Sequence, residues 1–226
     1  FSRLCRLNAD LRRTHRGPGV TEKNMTKSIV VAVDGPVAAG KGTLGRRLAA
    51  HFNFAYLDTG GLYRAVALRL LRNQQALDEI ETMVAQAGKI SLADLADPAL
   101  RDEEVGEAAS VIAPQPELRA ALLEYQRAFA ANPPDGAAGA VLDGRDIGTV
   151  ICPDAQVKLF VTASVEARAE RRFTELAGRG EDVDLATIQA DVAARDARDS
   201  ARAASPLTAA EDAHLLDTTK MDIEAA

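Results

Sequence analysis

Five short apolar stretches recur along the chain, at Ile29 to Val33, Phe54 to Leu57, Ala140 to Leu142, Val157 to Val161 and His214 to Asp217, and each reads as a strand. The first has no polar alternation, as expected of a strand covered on both faces within a parallel sheet. Between the strands the apolar period becomes helical. Leu44, Leu48 and Phe52 share a stripe at i, i+4 and i+8 and predict a helix over Leu44 to Phe54. Leu118, Leu122, Tyr125 and Phe129 recur at 4, 3 and 4 and predict another over Glu117 to Ala131, after a turn marked by Pro114 and Pro116. Further helices are expected after Gly61, from Ser164 to Leu176, from about Leu185 onward, and starting at Met221. Residues 73–110 lose strong periodicity, and this polar, acidic segment, punctuated by Gly88, Pro98 and Gly106, reads as an insertion. Strands alternating with helices predict an α/β fold. No repeat period is visible, and no apolar run approaches the ~18 residues of a membrane span.

At 226 residues the chain is long enough for one sizeable core. Its net charge of −6 argues against a general nucleic-acid binder, so any anion site must be local. Richness in Arg and Ala fits a GC-rich genome and assigns nothing by itself. Cys5 and Cys152 make neither a disulfide framework nor a metal cluster, and His15, His51 and His214 have no ligand spacing. A reducing cytoplasm is expected. Residues 1–24 carry six basic and two acidic side chains and read as a disordered basic extension. Met25 is the natural start of a single domain, 25–226.

The candidate chemistry begins where the first strand meets the first helix. Gly35 and Gly40 bracket a tight loop and Lys41 opens the helix, so backbone N–H groups converge on an anion at a helix N-terminus. Gly35, Pro36, Val37, Ala38, Ala39, Gly40, Lys41, Gly42 and Thr43 therefore form a candidate phosphate-binding loop, with Lys41 as the point charge for β- and γ-phosphates. The common form places Ser or Thr directly after the Lys; here Gly42 intervenes, giving GKGT. The second strand delivers Asp58-Thr59-Gly60-Gly61 to the same sheet edge, with Tyr63 and Arg64 in the next turns. Asp58, Thr59, Tyr63 and Arg64 are candidates to hold a second substrate facing the first. The third strand ends in Asp143-Gly144-Arg145-Asp146. Arg195, Asp199 and Arg202 fall at i, i+4 and i+7, with Arg198 at the edge of that face; on spacing alone they equally describe a solvated helix knitted by Asp–Arg pairs.

Five motifs in one order, GPVAAGKGT (35–43), LDTGGLYR (57–64), LRDEEVGEAAS (100–110), LDGRDIGTV (142–150) and RDARDSARAASPL (195–207), resemble the bacterial cytidylate kinases over about residues 28–224. LDGRDIGTV is the most discriminating, since adenylate kinases share GKGT but lack it. The resemblance implies a three-layer P-loop kinase core with a central parallel sheet, a nucleoside-monophosphate-binding insert at about 73–110 and a lid at about 172–194. It implies phosphoryl transfer from ATP, with Mg²⁺, to CMP and dCMP, by a cytoplasmic monomer that engages neither nucleic acid nor membrane and contributes no metal-ligand cluster. Arg64, Arg145 and Arg202 match the family positions that hold the acceptor phosphate. Ser110, Arg119 and Asp146 match those that read the cytosine edge, Arg195 and Asp199 those that bind the ribose, and Asp58, Thr59 and Tyr63 the rest of the acceptor wall. Lys41, Arg145, Arg195 and Arg202 would serve the transfer itself, and Asp143 is a candidate to orient Mg²⁺ through water.

Two departures stand out. Only 46 residues separate Tyr63 from Ser110, which leaves little room for the extra antiparallel sheet of longer members, and the last helix is cut at Ala226. The nearest rival is another nucleoside-monophosphate or small-metabolite P-loop kinase. A GTPase-type switch module is a second: Asp58-Thr59-Gly60-Gly61 fits DxxG and Thr219-Lys220-Met221-Asp222 mimics a guanine-reading TKxD. Against it stand Gly42 in place of a metal-binding hydroxyl, and some 157 residues between the two motifs.

Overall fold

The computed structural model describes residues 28–201 and 206–226; the extension 1–24 and Arg202 lie outside the described residues. Five parallel strands form one sheet: β1 (Ile29–Asp34), β2 (Ala55–Asp58), β3 (Gly139–Gly144), β4 (Val157–Thr162) and β5 (His214–Asp217), in the order β2-β3-β1-β4-β5. From β1 the chain runs out to β2, returns to β3 beside β1, then crosses to β4 on the other side. The crevice beyond the C-terminal end of β1 is therefore a switch point, where open α/β sheets bind ligands.

Successive side chains of a strand face opposite ways, and this divides the core in two. Val30, Ala32, Leu57, Ala140 and Leu142 face α2 (Thr59–Arg72), α3 (Ile80–Ala87), α4 (Glu103–Ile112) and α5 (Pro116–Ala131). Val31, Val33, Val141, Val157 and Val161 face α1 (Lys41–Phe52) through Leu44 and Ala49. A third, smaller cluster, Ala169, Leu176, Ile188 and Val192, joins α6 (Val165–Ala177) to α7 (Leu185–Ser200) as a helical hairpin. The result is a three-layer α/β structure with a central parallel sheet. Among the described residues no helix is long and apolar enough to cross a membrane.

The structure differs from the sequence reading in three places. The first helix runs from Lys41 to Phe52, and the left-handed Asn53 (φ 54°) ends it two residues before Phe54. Residues 73–110 hold two helices and two 3₁₀ turns, with no strand, and they bury Met83, Ala87, Leu100, Val105 and Ala109 in the larger core. Their period was faint because α3 is eight residues long and α4 buries mainly small side chains, Gly106, Ala108, Ala109 and Ser110. After β5, Met221–Ala226 forms only a turn, closed by the Ala226 N–H on the Asp222 carbonyl at 3.1 Å.

Register at the sheet edge is exacting. Asp34 pairs with Gly144 and with Phe160, and Asp58 pairs with Asp143, so the loops after β1, β2 and β3 emerge side by side. Gly35 leaves β1 at φ +148°, where a Cβ would stand 1.9 Å from the Val161 carbonyl oxygen on β4. Gly35→Ala is therefore expected to destabilise the protein by ~2 kcal/mol or more, since strain and clash both fall on backbone that cannot yield. A lowered urea midpoint at unchanged m-value checks this.

Candidate active site

The loop after β1 supplies the first wall. Ala38 (φ 57°) and Gly40 (φ 90°) are both left-handed, which reverses the chain so that α1 starts at Lys41. The first turn of α1 leaves N–H groups with no partner inside the helix, the ordinary basis of an anion site. Lys41 is buried, and its Nζ folds back to donate to the Pro36 carbonyl oxygen at 2.7 Å. Burial, then repulsion from Arg145, lowers its pKa to about 7, against the pull of Asp143, Asp58 and Asp34.

Lys41 stands between two cavities. One, about 490 Å³, is lined by Ala38 to Thr43 together with Arg171, Thr218 and Asp222. The other, about 940 Å³, is lined by Val37, Ala38, Lys41, Asp58, Arg64, Asp143, Arg145 and Arg195. A third cavity of about 80 Å³ shares Arg64, Arg145 and Arg195 with the second, and adds Thr59, Tyr63, Ser110, Arg119, Asp146 and Asp199. All the residues singled out in the sequence as a possible second-substrate site therefore meet around two adjoining spaces, apart from Arg202, which lies outside the described residues.

Local structure explains each placement. Asp58 caps α2, accepting from the Gly61 N–H at 3.1 Å, so the DxxG stretch is a capped helical turn and no switch loop. Thr59 Oγ1 donates to the Asp143 carbonyl oxygen at 2.8 Å and locks β3 to that turn. Arg64 reaches from α2 to the Leu100 carbonyl oxygen at 2.7 Å, its guanidinium passing beside Gly106. Arg119, on α5, pairs with Asp146 and lies 6.0 Å from the Tyr63 ring centre. Arg145 Nε donates to Asp199 Oδ2 at 2.9 Å, and Asp199 is only 2 % exposed. This bond answers the ambiguity of the 195–202 spacing: Asp199 faces the cavity and an arginine from β3's end, and not solvent.

The electrostatics are those of a site built for an anion. Burial lowers the pKa of Arg64, and burial with repulsion from Arg145 and Arg64 lowers that of Arg195 to about 10. Ser110 Oγ and Arg195 Nε are buried with no hydrogen-bond partner among the described residues. Asp143 takes the Tyr56 hydroxyl at 3.1 Å, and burial raises its pKa.

Several residues escaped the sequence reading. Asp34 accepts from the Ile147 and Gly148 N–H groups at 2.8 and 2.7 Å, fastening to β1 the wide helical turn Ile147–Ile151 that comes after Asp146. Burial raises its pKa to about 6. Arg168 donates to Val37 and Ala163 carbonyl oxygens at 3.2 and 2.9 Å and pairs with Asp196, tying the α6–α7 hairpin to the phosphate loop. Arg172 lines both large cavities and bonds Glu103 on α4 at 2.7 Å. Gln126, two turns beyond Arg119 on α5, lines the smallest cavity. Asp34 stands directly before GPVAAGKGT and could have been noticed; the others sit in ordinary amphipathic helices and carry no motif.

Comparison with known proteins gives the family. Residues 31–226 match the family described as Cytidylate kinase. The chain belongs to the cytidylate kinase family. A cytidylate kinase of Methylocella silvestris is 57% identical over 198 residues, spanning 88% of this chain and 90% of that protein. One from Xanthobacter autotrophicus is 59% identical over 198 residues, spanning 88% and 93%. A cytidylate kinase of Rhodospirillum rubrum is 52% identical over the same length.

The state of Lys41 is testable in the free protein. Its pKa is lowered on folding, so the unfolded chain holds the proton over a range, from about 7 to about 10.5, where the folded chain does not; the free protein should gain stability as pH rises through that range. Carbon-13 NMR of labelled lysine should show one of six lysines titrating near 7, absent in Lys41→Met and moved upward when a nucleoside triphosphate is added.

Proposed function

We propose that this chain transfers the γ-phosphoryl group of ATP to CMP, and to dCMP, giving ADP and CDP or dCDP. Family membership carries the reaction class. The observation that carries the acceptor is the convergence of Ser110, Arg119, Asp146, Arg195 and Asp199 on one small cavity that shares its walls with the space beside Lys41.

In this reading ATP phosphates lie on residues 35–43 with Lys41 between β and γ. The acceptor phosphate lies in the larger cavity against Arg64 and Arg145, and the family resemblance assigns Arg202 to the same phosphate. The ribose meets Arg195 and Asp199, and the base enters the small cavity, where Arg119 donates, Asp146 accepts and Ser110 does either. An oxygen of the CMP phosphate attacks the γ-phosphorus, and the bond from that phosphorus to the β,γ-bridging oxygen breaks, its electron pair leaving with ADP. The protein has little covalent work: it sets two anions in line, neutralises their charge and keeps water out. Arginine forks suit the phosphates geometrically, and Lys41, raised from its lowered pKa by the arriving anion, adds a full charge. Residues 172–194 act as the lid, flanked by Arg168 and Asp196, which pair with each other while Arg168 also bonds the loop at Val37, and residues 73–110 carry the acceptor-side wall at Ser110.

Mg²⁺ arriving with ATP would neutralise the β- and γ-oxygens. The donor set fits such an ion: Asp143 Oδ2 lies beside Gly42, 3.3 Å from where a Cβ would stand, and this carboxylate could orient the ion's waters.

A coupled assay with Mg·ATP over CMP, dCMP, UMP, AMP and GMP tests the reading. We expect kcat/KM for CMP to exceed that for UMP by ~10²-fold or more, and the purine nucleotides to be poorer still. Equal or higher turnover of AMP would overturn it.

A further inference from the structure

Gln126 is the buried polar group whose purpose the mechanism leaves open. It is 1 % exposed and lies at i+7 from Arg119, on the same face of α5. Its Nε2 donates to the Leu122 carbonyl oxygen at 3.0 Å. That oxygen can only accept, so it fixes the amide: the NH₂ lies on the helix, and Oε1 is left over. Oε1 is buried, and no donor among the described residues reaches it. Gln126 lines the cavity of about 80 Å³ beside Ser110, Arg119 and Asp146. Buried carbonyl groups are almost always hydrogen-bonded, so an unpaired buried acceptor on a residue of the cavity wall points to a donor that arrives with the ligand.

We propose that Gln126 is a specificity-determining residue: its Oε1 accepts a hydrogen bond from the exocyclic amino group of the cytosine base. This rests on the reading of CMP as the acceptor. The amino group carries two hydrogens and needs two acceptors. Asp146 supplies one, with Arg119 holding its carboxylate in place, and Gln126 supplies the other, leaving the Ser110 hydroxyl to donate to the ring's own acceptors. Arg119 has further N–H groups for the ring's own acceptors. Uracil places a carbonyl oxygen where cytosine has the amino group, so two acceptors would face a third with no hydrogen between them. A site built around a donor rejects the analogue that lacks it.

Gln126→Met keeps the volume and removes both polar ends. We expect kcat/KM for CMP to fall about tenfold or more, chiefly through KM, while UMP turnover changes by less than about threefold and the KM for ATP holds. The CMP-to-UMP ratio thus falls about tenfold. A purely structural role would lower both acceptors by one factor, and that result would overturn the proposal. A wild-type preference for CMP that survives intact in Gln126→Met would overturn the role of Gln126 alone, whereas a wild-type enzyme with no preference would overturn the acceptor reading with it. Should Gln126→Met fail to fold, a crystal structure of the unaltered protein with CMP decides: Oε1 within about 3.2 Å of the amino nitrogen supports the role, and a base whose amino group lies beyond that reach overturns it.

Discussion

Lys41, Arg64, Arg145 and Arg195 are gathered around one cleft in a chain whose net charge is −6. Such a cluster works against the resting fold. Lost hydration, then repulsion, lowers the pKa of Lys41 to about 7 and of Arg195 to about 10. Carboxylates offset part of this: Asp199 on Arg145, and Asp58 and Asp143 acting on Lys41 across the cleft. The balance is completed only when anions enter, so the energy stored in the unliganded cluster becomes selectivity for phosphates. An anionic protein thereby binds polyanions through a local field.

The scaffold's task is to hold these charges together without letting them collapse. Parallel register sets the ends of β1, β2 and β3 side by side, and hydrogen bonds to backbone groups fix the turns beyond the strand ends: Asp34 to Ile147 and Gly148, Thr59 to Asp143, Asp58 to Gly61. Glycines mark the close approaches. At Gly144 a Cβ would stand 2.7 Å from Thr59 Oγ1, and at Gly139 it would meet the Ile29 carbonyl oxygen at 2.6 Å. The helical hairpin is tied to this frame mainly through side chains, Arg168 to Val37 and Arg172 to Glu103, a looser connection than the register that joins the strands.

Much of this was legible from residue order. The strands announced themselves because both faces of the sheet are covered, which removes polar alternation from Ile29 to Val33. The phosphate loop was legible because its geometry admits few residues, and the residues proposed for the second substrate because the resemblance mapped them one by one; the structure gathers the described ones around two adjoining cavities. Residues 73–110 were not, since Ala and Gly at the buried positions of α4 give no stripe. Gln126 was hidden for another reason: on α5 it occupies a core position at helical spacing, and only the unpaired Oε1 separates it from a buried spacer. The direction of Asp199 was likewise undetermined by an Asp–Arg spacing that serves solvent and site equally well.

The central claim is that the cleft is organised around the acceptor's phosphate, with the base chosen beside it. Thermal unfolding with CMP or with cytidine, at equal concentrations and without ATP, tests this most directly, because a ligand that binds only the folded chain raises Tm by an amount that grows with the ratio of its concentration to its Kd. The account predicts a large rise with CMP that shrinks as salt is added, and little or none with cytidine. Equal rises with the two ligands would contradict it.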